Sequence, residues 1–232
     1  IELSDLVLAV TSSSLNEIRA RYPRQPDAKF ALVPNGFDPD AVGRPENGWH
    51  GDASRMLVTH MGTAYRTASP SFYLNALDAL PEEIRTNVAT RFIGRVAETE
   101  SSIFDSRKSN VELVGFMPQA EALKHTRETD YLLLTMTNDF SLPGKLFEYL
   151  ATGKPVLALS PKGGEVDRIL TETKGGYCVP HDSPEAIRAM LMEAWNKRAE
   201  MRARFAPDWE AIRRYERPRL AGELAALLRG RL

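Results

Sequence analysis

Ser141-Leu-Pro-Gly-Lys-Leu-Phe-Glu-Tyr-Leu-Ala-Thr-Gly-Lys-Pro-Val156 holds a turn, a short helix and the entry to a strand in one stretch. Leu142-Pro143-Gly144 reads as a turn and residues 145–151 as a short helix; Gly153 ends that helix in a left-handed conformation and Pro155 blocks its continuation. Val156-Leu-Ala-Leu159 follows as an apolar strand. Lys145 and Glu148 are three residues apart, so they project from one helix face. Amides in a first helical turn lack intrahelical partners, and the helix dipole favours an anion there. A lysine suited to phosphate therefore stands beside a carboxylate suited to hydroxyls.

Working outward, the same loop–helix–strand rhythm extends in both directions. Upstream lie the strands Met56-Leu-Val-Thr-His60, Val88-Ala-Thr-Arg-Phe-Ile93, Val111-Glu-Leu-Val114 and Tyr131-Leu-Leu-Leu134; downstream lies Gly176-Tyr-Cys-Val179. Helical patterns alternate with them, including a polar helix expected over about residues 97–107 and a long one opened by Ser183-Pro184. Short strands, apolar throughout and alternating with helices, predict βαβ units and a parallel sheet covered on both faces. The expected fold is α/β: a doubly wound, Rossmann-like parallel sheet of about six strands. In such sheets ligands sit beyond the carboxyl ends of the strands, which points to the loops at residues 62–67, 94–95, 115–118, 135–144 and 160–164.

Before this domain come a strand, Leu6-Val-Leu-Ala-Val10, a helix capped within Thr11-Ser-Ser-Ser14, a second strand, Lys29-Phe-Ala-Leu-Val33, and a sharp turn expected at Pro34-Asn-Gly-Phe-Asp38. Residues 39–55 are rich in Gly, Pro, Asn and Asp and read as a linker. The chain opens on Ile1 in mid-fold, which suggests part of a longer polypeptide.

The 232 residues carry a net charge of −1, so nothing draws the whole molecule to nucleic acid or membrane. One cysteine, Cys178, excludes an intramolecular disulfide framework and fits a reducing compartment. No signal peptide or membrane-spanning run is present. The dinucleotide fingerprint, the P-loop and the nucleophile elbow are all missing. His50, His60, His125 and His181 are scattered without metal-ligand spacing, so no metal is expected, and His60 reads as a structural histidine at a strand end.

Six motifs in order carry a resemblance: Val33-Pro-Asn-Gly-Phe-Asp38, Gly62-Thr-Ala-Tyr65, Phe92-Ile-Gly-Arg95, Val114-Gly-Phe-Met-Pro118, Asp130-Tyr-Leu-Leu-Leu134 and Lys145-Leu-Phe-Glu-Tyr-Leu-Ala-Thr-Gly-Lys-Pro-Val156. Together they resemble the carboxyl half of a GT-B glycosyltransferase, similar to the family 4-like, group 1 enzymes of bacterial cell-surface polysaccharide synthesis. The resemblance implies a donor-binding domain over residues 56–204, with residues 1–38 as the end of the acceptor-side domain and hinge, and residues 205–232 as strap helices. It implies hexose transfer from a nucleotide-diphosphate sugar to a saccharide or lipid-linked acceptor, with retention and without metal or other cofactor, in the cytoplasm or at the inner membrane face. The fragment alone is expected to be inactive, since the acceptor domain is missing.

In that resemblance Glu148 binds the ribose hydroxyls. The backbone of Gly62 and Thr63 and of the Leu142, Pro143 and Gly144 stretch surrounds the diphosphate, Lys145 and Arg66 neutralise it and stabilise the leaving group, and Gly115, Phe116 and Met117 meet the base; Arg95 is a further phosphate candidate. No catalytic residue is assigned. Two departures stand out: Phe140, beside Asp139, occupies the place of the family's first glutamate, and the loop after the domain's first strand has Arg66 but no lysine.

Ordinary readings stand beside these. A lysine and a glutamate at this spacing are commonly a solvated pair. Arg66 and Arg95 are equally suited to surface charge, Phe116 and Met117 to a core, and Asn35-Gly36 to a hinge turn. From Lys197 onward ten basic residues face five acidic ones, with Leu220, Leu224, Leu227 and Leu228 on one helical face, either a membrane-surface helix or a strap packed on the preceding domain. A nucleotide-sugar epimerase and a non-catalytic nucleotide-binding module are the alternative functions.

Overall fold

The computed structural model describes residues 1–43, 45, 54–105, 107 and 109–230. The chain begins with β1 (Val7–Ala9), α1 (Ser12–Arg21) and β2 (Phe30–Leu32), followed by the short α2 (Pro39–Val42). Residue 44 and residues 46–53, the middle of the expected linker and His50 with it, lie outside the described residues. Next come β3 (Met56–Met61), α3 (Ser71–Asp78), α4 (Glu82–Arg85), β4 (Val88–Ile93), β5 (Asn110–Gly115), α5 (Gln119–Lys124), β6 (Tyr131–Thr135), α6 (Gly144–Ala151), β7 (Val156–Leu159), α7 (Glu165–Thr173) and β8 (Gly176–Val179). The chain closes with α8 (Pro184–Asn196), α9 (Arg198–Arg204), α10 (Trp209–Arg213) and α11 (Arg217–Arg229).

The six strands of the large sheet are parallel and run in the spatial order β5-β4-β3-β6-β7-β8, while β1 and β2 form a separate parallel pair. The chain winds outward from β3 on one side and from β6 on the other. The switch point, where loops diverge and leave a crevice, therefore lies between β3 and β6.

Alternation along the central strands feeds two cores. On β6 and β7, Leu132, Leu134, Val156 and Ala158 pack with α6, α7 and α10, whereas Tyr131, Leu133, Leu157 and Leu159 pack with α3 and α8 on the other face. Burial of each such leucine contributes roughly 1.5–3 kcal/mol, so both layers are needed and the strands are apolar throughout. The ends are pinned by polar contacts: buried Asp130 accepts from the Leu57 amide at 2.7 Å and from Arg202 at 2.6 Å.

Three local expectations are corrected. Pro34–Asp38 is no sharp turn but an extended segment that bridges to the start of α11, with the Phe37 amide donating to Tyr215 and the Arg217 amide to Phe37. These tertiary bonds override the local Asn-Gly preference. The helix expected near residues 97–107 is a 3-10 segment, Glu98–Phe104, whose Glu100 carboxylate turns inward to the Ser69 hydroxyl. Leu142-Pro143-Gly144 is not a turn either: Pro143 is an extended N-cap residue and Gly144 opens α6, because Leu142 is drawn into the core.

In α11, Leu220 is buried, Leu224 and Leu227 are half-buried and Leu228 is exposed. Among the described residues no helix is long and apolar enough to cross a membrane.

Candidate functional site

At the carboxyl ends of β3, β4 and β5, a cleft of about 350 Å³ opens between the switch-point loops and α6. Of the expected site residues it is lined by Gly62, Thr63, Arg95, Phe116, Met117, Lys145 and Glu148. Gly115, Leu142, Pro143, Gly144 and Arg66 do not line it. Arg66 is exposed in the 3-10 turn Arg66–Ala68, and the carbonyl of buried Leu142 accepts from the Asn35 side chain at 3.1 Å.

The amphipathic pattern of α6 decides which groups reach the cleft. Leu146, Phe147, Tyr149, Leu150 and Ala151 are buried, which leaves Lys145 and Glu148 on the face toward the opening. Gly153 ends the helix with φ +76°, as its position in the sequence implies. At the other end α6 has no side-chain cap and no acid in its first turn. The Leu146 amide bonds Pro143, so Gly144 and Lys145 contribute the open amides of that turn.

Close approach of the loops depends on two glycines. Gly62 has φ +114°, and a Cβ there would stand 3.4 Å from the Lys145 amine. Gly94 has φ +141°, and a Cβ there would meet the Gly62 carbonyl at 2.2 Å, so the β3 and β4 loops meet only with glycine at this point. The Lys145 side chain thus lies directly over the Gly62 backbone. Tyr149 fastens the underside: its hydroxyl accepts from the Met61 amide at 2.7 Å and donates to the Met61 carbonyl at 3.1 Å.

Electrostatics follow from this enclosure. Burial pushes the Lys145 ammonium down to about 8, against the pull of Glu148. Burial raises the Glu148 carboxyl above its usual range, opposed by a hydrogen bond from Gln119 and by the charges of Arg217 and Lys145. Gln119 donates to a Glu148 carboxylate oxygen at 2.6 Å. On the rim, the Arg95 guanidinium lies 4.9 Å from the ring centre of Phe116, which is 70% exposed, making a stacked and accessible platform. Phe140, 54% exposed, and exposed Asp139 belong to the loop leading to α6.

Four residues with roles here were not among the expected site residues. Gln119 opens α5 and meets Glu148; Tyr149 holds α6 to β3; Asn35 holds the approach to α6; His60 lies beneath Lys145. The sequence placed Asn35 and Tyr149 within the resemblance motifs and His60 at the end of a strand, read there as structural; Gln119 carried no signal.

The family model for glycosyl transferases group 1 matches residues 55–197, and the cleft lies within them. Among curated proteins, a probable glycosyltransferase of Pseudomonas aeruginosa, WbjE, is 28% identical over 125 residues, covering 51% of this chain and 31% of WbjE. Among solved structures, HepE of Anabaena in complex with UDP and glucose superposes with a TM-score of 0.74 at 15% identity, over 99% of this chain and 64% of that one. WaaG, a glycosyltransferase involved in lipopolysaccharide biosynthesis, gives 0.71 at 17% identity, over 95% and 61%. The chain spans less than two thirds of each.

Proposed function

The chain belongs to the glycosyl transferases group 1 family, and from that premise we propose that it is the donor-binding half of an enzyme moving a hexose-type sugar from a nucleoside-diphosphate sugar to a saccharide or lipid-linked acceptor. The observation that carries this reading is the Lys145 amine held over the Gly62 backbone, beside the uncapped first turn of α6 and one turn from Glu148. A cation at a helix N-terminus is unfavourable for the helix alone, since the dipole is positive there. An anion between Lys145 and the open amides reverses that sign.

The diphosphate sits against Gly62, Thr63 and the amides of Gly144 and Lys145. The ribose hydroxyls donate to Glu148 in place of Gln119, and the base lies along Phe116, Met117 and Arg95. As the glycosidic bond breaks, negative charge grows on the outer phosphate, and a fixed ammonium and fixed amides stabilise it more in the transition state than in the ground state. With Lys145 titrating at about 8, the ammonium dominates at neutral pH. Metal independence is part of this proposal, because Lys145 and the amides supply the positive charge. A retaining outcome and inactivity of this chain without an acceptor-binding half complete it; the saccharide or lipid-linked acceptor is in line with WaaG, a glycosyltransferase involved in lipopolysaccharide biosynthesis.

Isothermal titration with UDP, GDP and ADP tests the reading. Binding of one of them, weakened about tenfold or more by Glu148→Ala, is expected from the loss of charge-assisted bonds to ribose. No binding of any of the three, or a Glu148→Ala variant equal to the parent, contradicts it.

A further inference from the structure

His60 is buried in β3 between Thr59 and Met61, beside Phe92 of β4. Its Nδ1 lies 3.0 Å from the Leu133 carbonyl on β6, across the switch point. A carbonyl only accepts, so Nδ1 carries the proton and Nε2 presents a lone pair. That lone pair faces the Lys145 amine at 3.5 Å, the partner of Nε2 among the described residues. The ring is packed at 5.5 Å against Phe92, which fixes its plane. A phenylalanine would fill this space without an internal polar atom, and a buried ring nitrogen is costly unless it is partnered.

We propose that His60 is a positioning residue for Lys145: as the neutral Nδ1–H tautomer set by Leu133, it receives one N–H of the ammonium and holds the amine over Gly62. The inference rests on the donor-site reading for its purpose, but its geometry belongs to the unliganded chain. The charged groups around the His60–Lys145 pair are Glu148 on the same helix, Arg217, whose charge acts on Glu148, and Arg95, which lines the same cleft. Burial and then the Lys145 charge hold His60 well below its usual value, outweighing the Leu133 bond, so the imidazole stays neutral when the ammonium is present. An acceptor beneath a buried ammonium favours its charged form. His60 therefore sets both where the lysine sits and how far up in pH it remains charged.

Two substitutions separate the roles of the ring. His60→Asn keeps a donor for Leu133 and removes the acceptor for Lys145; His60→Gln keeps an acceptor near the Nε2 position. The measurement is the pH titration of the Lys145 side chain by NMR in the unliganded chain, alongside UDP affinity. His60→Asn is expected to move the Lys145 midpoint to lower pH and to weaken UDP binding about tenfold, the scale of one charge-assisted hydrogen bond, with His60→Gln recovering most of both. An unchanged midpoint in His60→Asn, or equal losses in the two variants, overturns the proposal. If the wild-type chain binds none of UDP, GDP or ADP, the donor-site reading fails, and the lysine titration still decides the His60–Lys145 pair. If neither variant folds, the wild-type imidazole decides it alone: an Nδ1-protonated neutral ring throughout about pH 6 to 9 is expected, and an Nε2–H tautomer or an imidazolium overturns it.

Discussion

Helices α6 and α7 leave neighbouring strands of one sheet, yet their first turns are finished in opposite ways. In α7 the chain supplies its own anion. Buried Glu165 accepts from the Ser13 amide at 2.6 Å and the Ser13 hydroxyl at 2.8 Å, and from Arg168 at 2.9 Å. Burial disfavours its charge, but the Ser13 and Arg168 bonds outweigh this and hold the carboxyl below its usual range. In α6 no acid occupies that position; a partly desolvated lysine stands there instead. An acid near a helix start contributes about 0.3–1 kcal/mol and a cation opposes the dipole by a similar amount. The first turn of α7 therefore carries its own negative charge, whereas that of α6 carries a positive one, which the diphosphate of the proposed donor would balance.

The largest effect expected from this contrast is on binding. Lys145→Met should weaken UDP affinity about 10- to 100-fold, the range for charge-assisted bonds, while leaving the melting temperature equal or higher. A large loss of melting temperature with unchanged affinity would break the contrast. Next, Tyr149→Phe leaves the Met61 amide buried without its partner and should cost about 1–3 kcal/mol in denaturant unfolding, because α6 is fastened to β3 from below. Glu165→Gln should lower unfolding stability by about 1 kcal/mol with UDP affinity within about twofold of the parent, the reverse of the lysine variant.

The smallest expected effect is a titration. With Lys145 at about 8, UDP affinity is full well below that pH and should fall about fourfold between roughly pH 7 and 8.5. For the unliganded fold the sign is opposite. A base whose value is lowered by folding binds fewer protons folded than unfolded, so its contribution to stability rises with pH above about 8. Affinity and melting temperature measured over the same pH series separate the two.

The sheet was legible because each central strand buries both faces. Tyr131 to Leu134 and Val156 to Leu159 are buried and apolar throughout, and unbroken apolar runs of this length suit a strand covered on both faces. Lys145 and Glu148 were legible because their spacing puts them on one face opposite the leucines of α6. Asn35-Gly36 misled because its bonds are tertiary: Asn35 reaches Leu142, 107 positions away, and Phe37 pairs with the start of α11. Gln119 gave no local sign, and His60 showed only its place at a strand end, for the same reason. His60 acquires meaning only when β3 is set between β6 and α6, and Gln119 only when α5 faces α6. The 3-10 segment Glu98–Phe104 escaped because Glu100 points inward, which helical periodicity does not anticipate.

The measurement that reaches the central contrast most directly is an amide NMR titration of the chain with UDP. Large shifts at Gly62, Thr63, Gly144 and Lys145, with Gly164 and Glu165 at the start of α7 unmoved, are expected if the first turn of α6 receives the diphosphate. Saturable shifts that spare Gly144 and Lys145, or that appear equally at Gly164 and Glu165, would contradict it.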